Sequence, residues 1–384
     1  MKLMKVLSPT AILGYGFPMA SFEEGIRQKP DVIAVDGGST DPGPYYLGSG
    51  YSFTDRLAVK RDLTIMIEAA LDLKIPVIVG SAGGSGANSH LEWCVDIVKE
   101  IGKELGRPFK LASIEAEISK EIVLEALANG RIEPLHPAPE LTDVEVKAAE
   151  RIAAQMGSEP IIEALNHGAD VIIAGRAYDP VSFAALPIRD GFDPGLALHM
   201  GKILECAAIA STPGSGSDCM MGYLYEDRFE LEPLSPIRKC TTLSVAAHTL
   251  YEKTNPYILP GPGGTLDLTE TRFDEVSERR VAVSGTKFVP SEQYTVKLEG
   301  AKSVGYRTVS IAGTRDPIMI DQIDVIIQDV KDRVKDNFIG RVEDYYLDVK
   351  IYGKNAVMGN LEPIKGITSH EIGLIIEAVA DTQE

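Results

Sequence analysis

The sequence predicts an α/β protein: a Rossmann-like, mostly parallel sheet followed by a smaller C-terminal α+β module. Three observations predict it. Short β-branched runs alternate with helix-like segments of about 10–15 residues, the signature of parallel βαβ units. Four of those runs lead directly into glycine-rich polar loops: Gly14-Tyr15-Gly16-Phe17, Asp36-Gly37-Gly38-Ser39-Thr40-Asp41, Gly80-Ser81-Ala82-Gly83-Gly84-Ser85-Gly86 and Gly175-Arg176-Ala177-Tyr178-Asp179. Beyond Pro260-Gly261-Pro262-Gly263-Gly264 the texture changes to strands, one helix and further strands. The domains expected are residues 1–258, carrying the ligand or catalytic site, and 259–384.

Taken in order, residues 5–13 form a first strand interrupted by Pro9, and Ser21-Phe22-Glu23-Glu24 is a capping box that opens a helix. The run DVIAV at 31–35 is a second strand, 63–73 an amphipathic helix and 76–79 a third strand. Residues 91–105 read as helix, 110–117 as strand and 120–129 as helix ending at Gly130. Thr142-Asp143-Val144-Glu145 is a second capping box and predicts a helix running toward Gln155. Ser158 and Pro160 start another short helix, and DVIIA at 170–174 is a buried strand. The Ala-, Leu- and Ile-rich stretch 194–212 is helical and stops at Pro213, and 242–253 is a further helix. In the C-terminal module, 281–283, 294–299, 306–312 and 345–352 are strands, 321–337 is a charged helix, and 372–379 is a last apolar strand. The final residues resemble a helix start with no helix following, which reads either as a polypeptide that continues or as a frayed terminus.

Composition narrows the function. The chain has 384 residues, 44% of them apolar and 24% charged, an ordinary globular balance. A formal net charge of −18 argues against nucleic acid or an anionic membrane as partner, since both need clustered Lys and Arg. Cys94, Cys206, Cys219 and Cys240 are widely spaced, which favours reduced thiols and a cytoplasmic protein. No apolar run approaches the roughly 20 residues of a membrane span.

Loops that follow the strands of an open α/β sheet share one edge, and ligands bind in the crevice there. In the first such loop, Gly37 and Gly38 let a ligand approach the backbone, with Ser39 and Thr40 supplying hydroxyls. Asp36 or Asp41 suits a general base, a ligand of a hard cation or a binder of a substrate hydroxyl. The competing reading is a tight turn capped by its own Asp and Ser. Ser81, Gly83, Gly84 and Ser85 form a run suited to holding an anion on backbone amides at a helix N-terminus. The run lacks the Gly-Lys-Ser/Thr ending of a P-loop, which disfavours ATP-dependent chemistry. Arg176 can grip a carboxylate through paired hydrogen bonds, or can pair with Asp179 or another acid to hold the loop. Glu205 on an apolar helix is a candidate for a raised pKa and proton transfer. Its neighbour Cys206 reads more readily as a small buried hydrophobe than as a nucleophile. His248, one turn from Ser244 and Glu252, is the best histidine candidate for acid–base work, with His199 weaker. No HxxxH or HxH pair supports zinc, while Mg²⁺ or Mn²⁺ remains open through the loop aspartates.

Several segments together resemble the acyclic terpene utilisation family of AtuA-type proteins. They are DGGSTDPG at 36–43, IPVIVGSAGGSG at 75–86, GADVIIAGRAYD at 168–179, HMGKILEC at 199–206, SVAAHTLYE at 244–252, PGGTLDL at 262–268 and VKLEGA at 296–301. The resemblance covers nearly the whole chain. It implies a large N-terminal α/β domain, sometimes with a small ferredoxin-like module carried or alongside, and a place in catabolism through acyl-CoA intermediates. Glu205-Cys206-Ala207-Ala208 stands where terpene-pathway members carry Glu-Cys-Gly, which speaks against a terpene substrate more than against the fold.

The expectation is an enzyme of lyase or hydratase type acting on a small carboxylate or acyl-CoA by proton abstraction and addition or elimination. Gly83, Gly84 and Ser85 would hold an anionic group and Arg176 a carboxylate. Asp36 or Asp41 would act as base or metal ligand, opposed by Glu205 or His248 as acid. The alternative is a non-catalytic metabolite-binding subunit of a heteromeric enzyme. A homo-oligomer is expected, with a small accessory subunit as a further partner.

Overall fold

A computed structural model describes the chain except residues 1, 39–41, 136, 252–254 and 342–343. It divides into two compact units, Met1–Lys302 and Ser303–Glu384. The sequence places the boundary earlier, at 258/259, because the Gly- and Pro-rich run there reads as a linker. That run instead forms short hairpin strands that pack within the first unit.

The strands of the first unit are β1 (Met4–Ser8), β2 (Val32–Asp36), β3 (Val77–Gly80), β4 (Leu111–Ile114), β5 (Ala149–Ala154), β6 (Val171–Ala174) and β7 (Met220–Leu224). They continue with β8 (Arg228–Pro233), β9 (Ile258–Gly261), β10 (Gly264–Asp267), β11 (Arg272–Glu275), β12 (Val281–Ser284), β13 (Lys287–Pro290) and β14 (Leu298–Lys302). Nine of them make one sheet in the order β11-β12-β8-β7-β1-β2-β3-β6-β4. The run from β1 to β4 is parallel, as the sequence predicts. The other four strands extend it antiparallel.

The parallel strands bury both faces, which is why they read as unbroken apolar runs. Val35, Val79 and Ile173 pack beneath helices Arg56–Leu73 and Asn88–Leu105. Ala34, Ile78 and Ile172 alternate to the opposite face, beneath Glu159–Asn166, Val181–Arg189 and Pro194–Leu204. Three expectations are revised. The first helix spans Met19–Arg27 behind Pro18, so Ser21 is a buried residue inside it and not its cap. The second capping box is real, with Thr142 Oγ1 accepting from Glu145 N at 3.2 Å. Its helix, however, is only Asp143–Ala148, because 149–154 pair with β14 as strand. Tyr294 lies outside any strand, and that pairing begins at Leu298.

The second unit is the small α+β module expected. Strands β15 (Tyr306–Thr314), β16 (Tyr345–Tyr352) and β17 (Ile372–Ala380) pair antiparallel in the order β15-β17-β16. Ile320 and Ile323, from the helices Pro317–Asp321 and Ile323–Phe338, pack on Ile351, Ile372 and Leu374.

Candidate functional site

Neighbouring strands β3 and β6 send the chain to opposite faces of the sheet. After β3 it enters helix Asn88–Leu105 on one face, and after β6 it enters Val181–Arg189 on the other. That divergence opens the crevice where α/β sheets place their ligands. The loops there are locked together by backbone hydrogen bonds. Gly37 N donates to Gly80 O at 2.7 Å, Ser81 N to Gly175 O at 3.1 Å and Arg176 N to Gly86 O at 3.0 Å. Gly86 has φ +65°, and a Cβ there would lie 2.0 Å from Arg176 N, so glycine is required.

Arg176 is the hub. Its side chain is 2% exposed. Its Nε and Nη2 donate to the two carboxylate oxygens of Glu299 on β14, at 2.7 and 3.2 Å. Its Nη1 donates to Ser81 Oγ at 3.1 Å, Ala177 O at 2.9 Å and Asp179 Oδ1 at 3.0 Å. The paired grip expected on a substrate carboxylate is thus taken by Glu299, and of the two readings of this arginine the loop-holding one describes the fold.

Asp36, at the end of β2, is 5% exposed. Burial and then the Asp179 and Glu205 carboxylates hold its carboxyl well above the usual carboxylate range, against the pull of Arg176 and Ser81. The neutral form of Asp36 is thereby favoured over what an exposed aspartate would show. Among the described residues its Oδ1 has no hydrogen-bond partner, and neither do Ser182 Oγ and Tyr178 OH. A Cβ built on Gly80 would lie 2.2 Å from Ser182 Oγ and 3.4 Å from Asp36 Oδ1. Two unsatisfied buried polar atoms thus lie beside Gly80, with Ser182 Oγ filling the space a side chain there would need, and native folds tolerate few such atoms without a reason.

Lys202 is 2% exposed and donates to Glu205 three residues along the helix Pro194–Leu204 and its cap. Burial alone would lower its pKa, but the Glu205 charge and hydrogen bond hold the ammonium above its ordinary range. Tyr178 stands between the pairs, its phenol pushed up by burial and by Glu205 and Asp179. His248 is pushed down to about 4 by burial and by Lys202, and its ring stacks on Tyr251 at 5.5 Å. That shift favours the neutral imidazole at pH 7, which suits a proton acceptor better than the acid expected of it. His199 is locked between Thr286 Oγ1 at 2.7 Å and Thr249 Oγ1 at 3.0 Å, a buried structural histidine.

The glycine run after β3 differs from the anion cradle expected of it. Gly84 N donates to Ser81 O at 2.9 Å and Gly86 N to Ala82 O at 3.1 Å, so these amides close their own turns. Phe53 covers Gly38 and Gly84. At the start of the following helix, Glu117 Oε2 accepts from Asn88 N at 2.9 Å, placing a carboxylate of the protein where a ligand anion was expected. Gly83 is packed against His90, and Ser85 is buried. Ser39, Thr40, Asp41, Glu252 and His136 lie outside the described residues. Among the described residues, no three His, Cys, Asp or Glu side chains gather as a metal ion would require.

The family model described as acyclic terpene utilisation family protein AtuA matches residues 51–216 and 238–384. The chain belongs to this family. No curated protein and no solved structure matches it. The AtuA match contains Ser81, Arg176, Tyr178, Asp179, Ser182, Lys202, Glu205, His248 and Glu299, while Asp36 precedes it.

Three members of the cluster escape a reading of the sequence, and Glu299 reads as belonging to a site no more readily than to a domain interface. Lys202 had an available signal, a cation three residues before Glu205 on an apolar helix. Tyr178 sits inside the loop already singled out. Glu299 belongs to the VKLEGA segment but lies 123 residues from its partner. Nothing in the sequence marks Ser182.

Proposed function

We propose that this chain is an enzyme that moves a proton on a small acyl substrate at the β2-β3-β6 edge, in an addition or elimination of lyase or hydratase type. The observation that carries the reading is the buried Asp36, its carboxyl held well above the usual carboxylate range and its Oδ1 unpartnered, beside Ser182 Oγ at Gly80. A carboxylic acid kept neutral at pH 7 can donate a hydrogen bond to a carbonyl oxygen and stabilise the enolate that forms when the adjacent carbon loses its proton. Asp179, a partly exposed carboxylate on the same loop cluster, takes that proton.

Charge decides between a free carboxylate and a neutral carbonyl. Arg176 and Lys202 are the cations of the cluster, and both are committed to Glu299, Asp179 and Glu205. A further anion would enter with no cation left to meet it. The acyl carbonyl of a thioester or ester accepts the Asp36 proton without adding charge, so an acyl compound is the preferred substrate.

The test is exchange of the hydrogen next to the carbonyl. Wild-type protein in D₂O, given a panel of short acyl thioesters, is expected to incorporate deuterium at that carbon, read by NMR. Asp36→Asn is expected to lower the rate by about 10²–10⁴, the usual contribution of a positioned acid or base. Full exchange in Asp36→Asn rules out the assigned role. Exchange with no thioester in the panel, while one of them binds, favours a metabolite-binding subunit of a heteromeric enzyme, a reading that draws support from the internal pairing of Arg176 and Lys202.

A further inference from the structure

We propose that an apolar chamber beside this cluster is a binding subsite for an uncharged hydrocarbon group about the size of benzene. The cavity, about 150 Å³, lies between helices Val181–Arg189 and Pro194–Leu204 and the small sheet β13-β10-β9. Its walls are Val181, Ile188, Leu198, Leu259, Leu266 and Phe288, with Ser158 and Glu159 at the more polar end. Protein interiors are close-packed, and voids much larger than a water molecule are few. An enclosed cavity of about this volume lined by Leu, Ile and Phe is known to take up benzene, and this one, partly open to solvent, shares that volume and apolar wall. Among the described residues the charged side chain of the lining is Glu159, so an anionic occupant is disfavoured and a neutral one of about six carbons fits.

Tyr178 makes the chamber more than a packing flaw. Its ring is part of the chamber wall and lies against the Gly261 backbone, where an added Cβ would sit 2.7 Å from Cε1. Its hydroxyl is buried and unpartnered, within electrostatic reach of Glu205 and Asp179. One side chain therefore borders both the apolar chamber and the polar cluster. Hydrocarbon filling the chamber packs against that ring and fixes where the hydroxyl stands. What the hydrocarbon is attached to rests on the acyl chemistry proposed above: the chamber takes the unreactive end of the substrate, and the carbonyl is handled by Asp36 and its neighbours. The chamber itself stands on geometry alone.

Benzene is the probe, applied to the full-length protein. Ligand-detected NMR is expected to find saturable binding to wild type, weakened at least tenfold in Leu198→Trp and Leu266→Trp, each of which fills the space. Crystals of wild type exposed to benzene vapour are expected to carry density between Leu198 and Leu266, which settles the question even if neither variant folds. The proposal is overturned if wild type takes up no benzene, if the density lies elsewhere only, or if folded variants of both kinds bind it unchanged. Asp36→Asn separates the two proposals. It is expected to bind benzene as wild type does while losing exchange, so retained exchange sinks the acid role alone and lost benzene binding in wild type sinks the chamber alone. For an acyl series that turns over, KM is expected to fall about fourfold for each methylene until the chamber is full.

Discussion

Replacing Arg176 by Met separates an internal clasp from a substrate clamp. Methionine keeps most of the stem's volume and removes the guanidinium. Glu299 then loses bonds of 2.7 and 3.2 Å and retains Lys297 at 2.7 Å, while Asp179 loses its bond of 3.0 Å. Removing one partner of a buried ion pair costs about 3–5 kcal/mol, because the other charge is left in a poorly hydrated place. Lys297 is 38% exposed and compensates little, so the lower half of that range, about 3 kcal/mol, is expected. The double variant Arg176→Met/Glu299→Leu removes the stranded acid as well, and a coupling of about 2 kcal/mol is expected in the cycle. Trp93 is the chain's one tryptophan and packs against the core of the first unit, so its fluorescence in a urea titration reports that unit. A loss below about 1 kcal/mol, with a raised KM as the main effect, would refute the reasoning. It would mean that Arg176 exchanges Glu299 for the substrate at little cost.

Three other perturbations test the site and its frame. Asp36 is held above its ordinary 3.8, so the folded protein keeps a proton that the unfolded chain releases. Its contribution to stability is full below that value and declines as pH rises through the folded pKa; urea midpoints of Asp36→Asn against wild type are expected to diverge in the variant's favour with rising pH. Gly80→Ala puts a methyl 2.2 Å from Ser182 Oγ and 3.4 Å from Asp36 Oδ1, and since the serine hydroxyl can rotate aside the stability change is expected within about 1 kcal/mol. Deuterium exchange is nevertheless expected to fall at least tenfold, and unchanged exchange would place the reacting atoms elsewhere. Glu117→Ala strips the carboxylate from Asn88 N and is expected to cost about 1 kcal/mol in the Trp93 titration, the ordinary worth of a helix cap.

The parts of the fold legible in the sequence are those whose signal is local. The runs ending at Val35, Val79 and Ala174 are β-branched and apolar because both faces of those strands are buried, and each lies within about a residue of where it reads. That Asp36 and Arg176 leave the sheet from the same edge follows from the parallel arrangement alone. The illegible parts depend on distant partners. Residues 149–154 follow a capped helix start, yet become strand because 298–302 lie alongside them. The antiparallel strands Met220–Leu224 and Arg228–Pro233 carry no β-branched residues, and only the second alternates polar with apolar side chains. The failed anion cradle has the same origin. Glycines, a serine and a following helix do describe an anion site, but the anion is Glu117, brought from a loop that the local sequence does not identify.

Within the cluster, the pattern of satisfied and unsatisfied groups carries the functional argument further than the identity of its residues. A fold that needed only to close this crevice could use well-packed apolar residues, since buried ion pairs are often no more stabilising than hydrophobic replacements. Arg176 with Glu299 and Asp179, and Lys202 with Glu205, are internally balanced pairs, and such pairs are compatible with a purely architectural role. Asp36 differs from them. No ion pair is made with it, two further carboxylates raise its pKa, and its Oδ1 and Ser182 Oγ are both unsatisfied beside Gly80. Its cost is intelligible if a carbonyl oxygen reaches both groups and accepts from them, because each orphaned atom then gains the partner it lacks.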